Sequence, residues 1–328
     1  YQWVTMPLAI HGVVVKKDGT TVKIRIGEEP GDPVFFVTDL LVHLAQDQME
    51  KKASSVVEGE ALDIIAGTIP MDSDSKDSVK ANVLKLLKEK YDIEEDDFWS
   101  SELEIVPAGN AREAGFDRSM ILGYGHDDRC CAYTSVLAMM NVESPLKTAC
   151  GLFVDKEEIG SVGATGMRSA FFEDTLREIL DRMGIYSELN LRRVLRGSRM
   201  LSSDVSAAYD PLYADRFDKA NAAQFGRGIV FNKYTGGRGK SGSNDANAEY
   251  LGHLRKIFSD NNVMFQSAEL GKVDVGGGGT IAYILSLYGM EVVDSGISVL
   301  SMHAPWEAVS KSDLYEAEKG YEAFLKNA

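Results

Sequence analysis

Cysteine is scarce: Cys130, Cys131 and Cys150 are the only three in 328 residues. So few, two of them adjacent, cannot build a disulfide framework or a zinc ribbon, and such sparing use suits a reducing compartment, here read as the cytoplasm. Long apolar runs are missing as well. The stretches at 12–15 and 151–154 fall far short of the roughly 20 residues a membrane-spanning helix needs, so no membrane partner is expected. Positive charge is in deficit: Lys plus Arg total 35 against 50 Asp plus Glu, a formal charge of −15. That balance repels phosphate backbones and argues against nucleic acid as a partner. There is no internal repeat or low-complexity tract, and the glycine patches at 236–242 and 276–279 lack the spacing of a Walker or dinucleotide loop. The chain opens at Tyr1 with no Met and no charged-and-apolar leader, which reads as a point downstream of the native start.

What is present organises into two parts. The length suggests two domains at about 150 residues each, and a hydrophobic content of 44% can fill a sizeable core. Residues 8–16, then Asp18-Gly19, then the alternation Val22, Ile24, Ile26 predict a hairpin with a tight turn. Thr38 or Asp39 is placed to cap an amphipathic helix through about Lys51, and Ser78 precedes another whose stripe is Val79, Val83, Leu86 and Leu87. A strand at 103–106 leads into Pro107-Ala108-Gly109-Asn110, a linker, so the boundary falls near 112. Beyond it the rhythm is apolar strand, loop and long helix: strands at 149–154, 228–231 and 263–267, helices at 167–183 and 246–258, another after Thr280, and a closing helix at 311–325. This alternation predicts an α/β layered domain over 113–328, following a smaller β-rich domain over 1–112.

Acidic residues sit just past apolar strands, where α/β sheets build their sites. They occur in GHDDR at 125–129, DKEEIGS at 155–161, SSDVS at 202–206 and SMHAPWE at 301–307. Each has an ordinary explanation alone: adjacent carboxylates usually form a solvated face or a helix start, and His303 could be a hydrogen-bonded structural histidine. As a set they supply hard oxygen ligands plus imidazole, the mixture that zinc or another divalent ion accepts. Adjacent glutamates can divide the labour, one binding metal while the other stays free to take a proton.

In order and spacing, Asp127-Asp128, the 155–161 stretch, Ser203-Asp204 and SMHAP at 301–305 resemble the aspartyl aminopeptidase and aminopeptidase I family of dinuclear zinc exopeptidases. Supporting stretches at 7–15, 38–44, 59–65 and 239–245 also resemble family sequence, so the likeness spans nearly the whole chain. The resemblance implies two divalent metal ions, most simply zinc, with Asp127 bridging them, Glu158 and His303 completing one shell, Asp204 in the other, and Glu157 as general base. It implies a zinc-peptidase-like layered α/β catalytic domain carrying an inserted β-rich dimerisation domain, peptide substrates, and a homo-oligomer of dimers assembling to a dodecamer. His43 matches a histidine that reaches a neighbouring active site, and Lys233 matches a lysine that contacts substrate.

Two departures stand out. The family's first ligand lies in a His-x-Asp motif that does not occur here, and it is expected before Tyr1; Ala207 stands where members preferring acidic substrates carry histidine. The reading is a metallo-aminopeptidase. A related dinuclear zinc deacylase or carboxypeptidase, or a catalytically impaired assembly scaffold, are its alternatives.

Overall fold

The structure, a computed structural model, describes residues 2–71, 76–237, 241–272 and 274–328. Positions 239 and 240 of the family-like stretch at 239–245, and part of the 236–242 glycine patch, lie outside the described residues. The chain forms two compact units, Tyr1–Ala111 and Arg112–Ala328.

In the first unit, β1 (Leu8–Val15) pairs antiparallel with β2 (Thr21–Ile26) and with β3 (Ser101–Pro107), giving the order β2-β1-β3. The hairpin turn is built by Asp18, whose carboxylate accepts the N–H of Thr20 at 2.9 Å, and by Gly19 at φ +86°, a conformation glycine takes without steric cost. Val14, Ile24, Ile26 and Ile93 form its core. The helix expected from residue 39 is not continuous. A 3-10 turn at Val42–Leu44 is followed by a single α-turn, α1 (Gln46–Met49). Asp39 does not cap it, because its carboxylate takes the N–H of Gln2 at 2.7 Å and the side-chain amide of Gln48 at 2.9 Å, pinning a loop instead. Helix α2 (Ser78–Tyr91) forms where its apolar stripe predicts.

In the second unit, β4 (Arg112–Ala114) and β5 (Met120–Gly123) lead into α3 (His126–Asn141), whose first turn is non-helical at Asp127 and Asp128. The strand expected at 149–154 does not form a ladder; the nearest pairing is an isolated bridge between Asp155 and Gly166. Leu152 and Val154 are placed by side-chain packing around Met167, so their apolarity marks core contact and not strand pairing. The helix expected over 167–183 is shorter, α4 (Phe171–Arg182), and is followed by α5 (Glu188–Arg196), capped by Ser187. Next come β6 (Arg199–Ser203), β7 (Ser206–Ala207), β8 (Ile229–Asn232), α6 (Ala248–Asp260) and β9 (Phe265–Ser267). Asn247 caps α6 by accepting the N–H of Tyr250 at 2.7 Å. The helix after Thr280 is only α7 (Ala282–Ser286). The chain ends in β10 (Glu291–Gly296), β11 (Ser298–Leu300), β12 (Glu307–Ser310) and α8 (Lys311–Asn327).

Two sheets result, ordered β6-β10-β8-β9 and β4-β5-β12-β11-β7. Parallel pairing of β10 with β6 and of β11 with β7 makes one nearly continuous ribbon, interrupted at Asp204-Val205 and at Ile297. Strand β10 is buried on both faces: Val293 packs with Phe231, Phe258 and Tyr321 under α6 and α8, while Val292 packs with Leu285 and Met167 on the other side. The second unit is thus the expected α/β layered construction.

Candidate metal centre

The interruption in that ribbon places one acid. Asp204 follows β6, and its Oδ1 accepts the N–H of Val205 at 2.7 Å. Only glycine fits opposite it, because a Cβ on Gly296 would lie 1.4 Å from the Asp204 carbonyl oxygen.

Asp127 and His303 are placed by a third acid. Glu307 opens β12, opposite Gly123 of β5, and is 2% exposed. Its two carboxylate oxygens accept the backbone N–H of Asp127 at 2.9 Å and of His303 at 2.8 Å. With its backbone so held, His303 adopts φ +65°, uncommon for a residue with a Cβ. Its Nε2 lies 3.0 Å from Oδ2 of Asp127 and 3.4 Å from Oε1 of Glu158.

The adjacent glutamates sit on a 3-10 turn, Glu157–Ile159, flanked by left-handed Lys156 and Gly160. The turn is closed by the N–H of Ser161 donating to the carbonyl of Lys156 at 2.7 Å, and Arg168 secures it from below. The Arg168 Nε donates to the carbonyl of Gly160 at 3.2 Å, and its guanidinium meets the hydroxyl of Tyr283.

One donor atom each from Asp127, Glu158 and His303 therefore lie within 4.8 Å of one another, a spacing that one ion can span. These three, with Glu157 and Asp204, line a cavity of about 840 Å³. The electrostatics are those of a site short of positive charge. Burial and the neighbouring Glu158 push Asp127 up to about 6, against the pull of His303. Burial, then the charge of Asp127, drives Asp204 well above the usual carboxylate range. Glu157 is raised by burial and by Glu158 and Asp127. Carboxylates crowded in this way favour a bound cation over their own mutual repulsion. Oxygen donors with one imidazole fit zinc.

The other predicted positions are differently placed. His43 is exposed on the 3-10 turn of the first unit and not on an amphipathic helix. Lys233 pairs with Asp245 at 2.5 Å and lies 4.0 Å from the ring centroid of Tyr234, outside the residues that line the cavity. Sequence reasoning gave Glu307, the acid of the 301–307 stretch, no role and passed over Asp294. Glu307 had one visible signal, an acid at the start of an apolar strand four residues after His303. Asp294 lies mid-strand, where a carboxylate runs against the burial pattern, and that anomaly was its signal.

An α/β domain that gathers carboxylates and an imidazole around one cavity is the construction of a metal-dependent hydrolase. The chain belongs to the aminopeptidase I zinc metalloprotease family (M18), whose sequence profile matches residues 1–325. It is 62% identical over 328 residues to a probable M18 family aminopeptidase 1 of Clostridium acetobutylicum, covering 100% of this chain and 70% of that one. It is 47% identical over 327 residues to the Thermotoga maritima counterpart, covering 99% and 72%. The crystal structure of aminopeptidase I from Clostridium acetobutylicum superposes with TM-score 0.93 at 61% identity, covering 100% of this chain and 71% of that one. This is a zinc metallohydrolase of the aminopeptidase class, acting on peptide bonds.

Proposed function

We propose that the centre holds two divalent ions, most simply zinc, and releases the N-terminal residue of peptides with Glu157 as general base. The observation that carries this reading is the convergence of Asp127, Glu158 and His303 beside a glutamate that makes no ion pair among the described residues. Asp127, whose carboxylate offers two oxygens, would be shared by the two ions, with Glu158 and His303 serving one and Asp204 the other. The bound ions supply Lewis acidity for the scissile carbonyl and lower the pKa of the attacking water. Glu157 takes that water's proton and returns it to the leaving amine. His43, from a neighbouring copy, and Lys233 are assigned to substrate.

The first unit is the surface we assign to dimerisation and, from dimers, to a dodecamer. Val42, Leu44 and Ile69 are 57%, 68% and 71% exposed there, apolar area that a partner copy would cover. No helix of the described residues is long and apolar enough to cross a membrane, and all three cysteines are free, in keeping with a cytoplasmic setting.

The test is Glu157→Gln in the full, zinc-loaded chain. Metal content should stay at the wild-type level while turnover on aminoacyl amides falls about 10²- to 10⁴-fold. Substantial residual turnover overturns the base assignment, and cleavage of N-acetylated peptides overturns the aminopeptidase reading.

A further inference from the structure

We infer that Asp294 is a positioning residue that ties together two loops of the cavity wall, and so sets which N-terminal side chain the site accepts. The inference rests on the peptidase reading. Asp294 is 4% exposed on β10 and has no cationic partner among the described residues. Its oxygens are used by separate loops. The hydroxyl of Thr235 donates to Oδ2 at 3.3 Å, and that of Thr280 donates to Oδ1. The loops are also joined directly, since the N–H of Gly236 donates to the carbonyl of Gly278 at 2.6 Å. Asn244 closes the arrangement. Its N–H donates to the Thr235 hydroxyl at 3.2 Å, and its side-chain amide donates to the carbonyl of Val292 at 2.9 Å. Thr235, Gly236, Gly278, Thr280 and Asp294 all line the cavity.

A buried carboxylate served only by neutral donors is a costly way to stabilise a strand, and an apolar residue would serve β10 better. What the carboxylate alone provides is acceptance at both oxygens, so that two hydroxyl donors from different loops are fixed at one point. The point itself is rigid. Two residues on, Gly296 of the same strand abuts the carbonyl of Asp204, so one strand carries both the contact to Asp204 and the tie between the two loops. A wall held this way defines the volume offered to a first side chain.

The experiment compares wild type with Asp294→Asn and with the double variant Thr235→Val/Thr280→Val, which removes both hydroxyls and keeps the carboxylate. Kinetics on leucine and alanine amides, zinc content and amide hydrogen exchange are measured on each. The leucine-to-alanine ratio of kcat/KM should change by about fivefold or more, carried by KM, because pocket shape discriminates side chains on that scale. Amides of residues 235–237 and 276–280 should exchange about tenfold faster while those of α3 keep their protection and zinc content holds, a local opening. A ratio within about twofold of wild type, or an equal loss on both substrates with exchange rising throughout the chain, overturns the inference. If Asp294→Asn does not fold, the double variant decides. A wild type inert on both amides overturns the peptidase reading instead, and unchanged exchange in the variants would then overturn the loop tie on its own.

Discussion

The backbone N–H of Asp127 donates to Oε2 of Glu307 at 2.9 Å, across 180 positions of the chain. Through its other oxygen Glu307 holds His303, so one buried acid fixes the backbones of two residues of the candidate metal centre without itself belonging to the group of three donors. Glu307→Gln replaces one acceptor with a donor pointed at an N–H. Support of this kind typically accounts for about 10- to 100-fold in metal affinity. Zinc titration against a competing chelator should show a loss in that range, with activity recovering at high zinc.

Gly296 and Gly252 make a contrasting pair. Gly296→Ala puts a methyl onto the carbonyl of Asp204, where backbone stands on both sides and neither can yield. Overpacking of this sort costs on the order of 1–3 kcal/mol, and here it should also displace Asp204, the proposed ligand of the second ion. Thermal melts and zinc analysis should fall together. Gly252, exposed in the interior of α6 with nothing near its absent Cβ, should accept alanine and gain roughly 0.5–1 kcal/mol.

Asp294 also imposes a pH dependence. Burial, opposed by the hydroxyls of Thr280 and Thr235, raises its carboxyl from 3.8 to about 6. The native state therefore holds this proton more tightly than the unfolded chain. The resulting stability is complete below pH 3.8, declines between there and about 6, and is gone above. The full change is about 3 kcal/mol. Asp294→Asn cannot titrate, so the gap in melting temperature between variant and wild type should shift in the variant's favour from pH 4 to pH 7. A constant gap would show that the group does not titrate in this window.

Phe258 tests the core behind the centre. It is fully buried and stands 5.2 Å from Phe231 and 5.7 Å from Phe265, ring centre to ring centre. Phe258→Ala should cost about 3–5 kcal/mol in denaturant unfolding.

Much of the local structure was legible. The hairpin follows from Asp18-Gly19 between alternating apolar residues, and α2, α6 and α8 follow from stripes at helical spacing. The failures share a cause. Residues 39–51 carry helical signals, but Asp39 finds Gln2 and Gln48 as hydrogen-bond partners, and a cap so engaged starts no helix. The apolar stretch at 149–154 packs by its side chains beside a core and meets no strand. In the site, the donor types and the adjacent glutamates could be read from the chain, because metal chemistry restricts which residues can serve. The supports showed less: an acid set in an apolar strand was the one sign of Glu307 and of Asp294, and their burial and partners depend on what folds around them.

By itself the sequence determined the acidic balance, the α/β rhythm and the family, since each depends on residue types and their order along the chain. Tertiary structure alone decided that side chains as distant as Asp127 and His303 come within 3.0 Å, and that a glycine leaves room for Asp204. It also decided which acids are stripped of water. Proximity and desolvation arise only when strands far apart in the chain pair and close a core, and no local pattern encodes them.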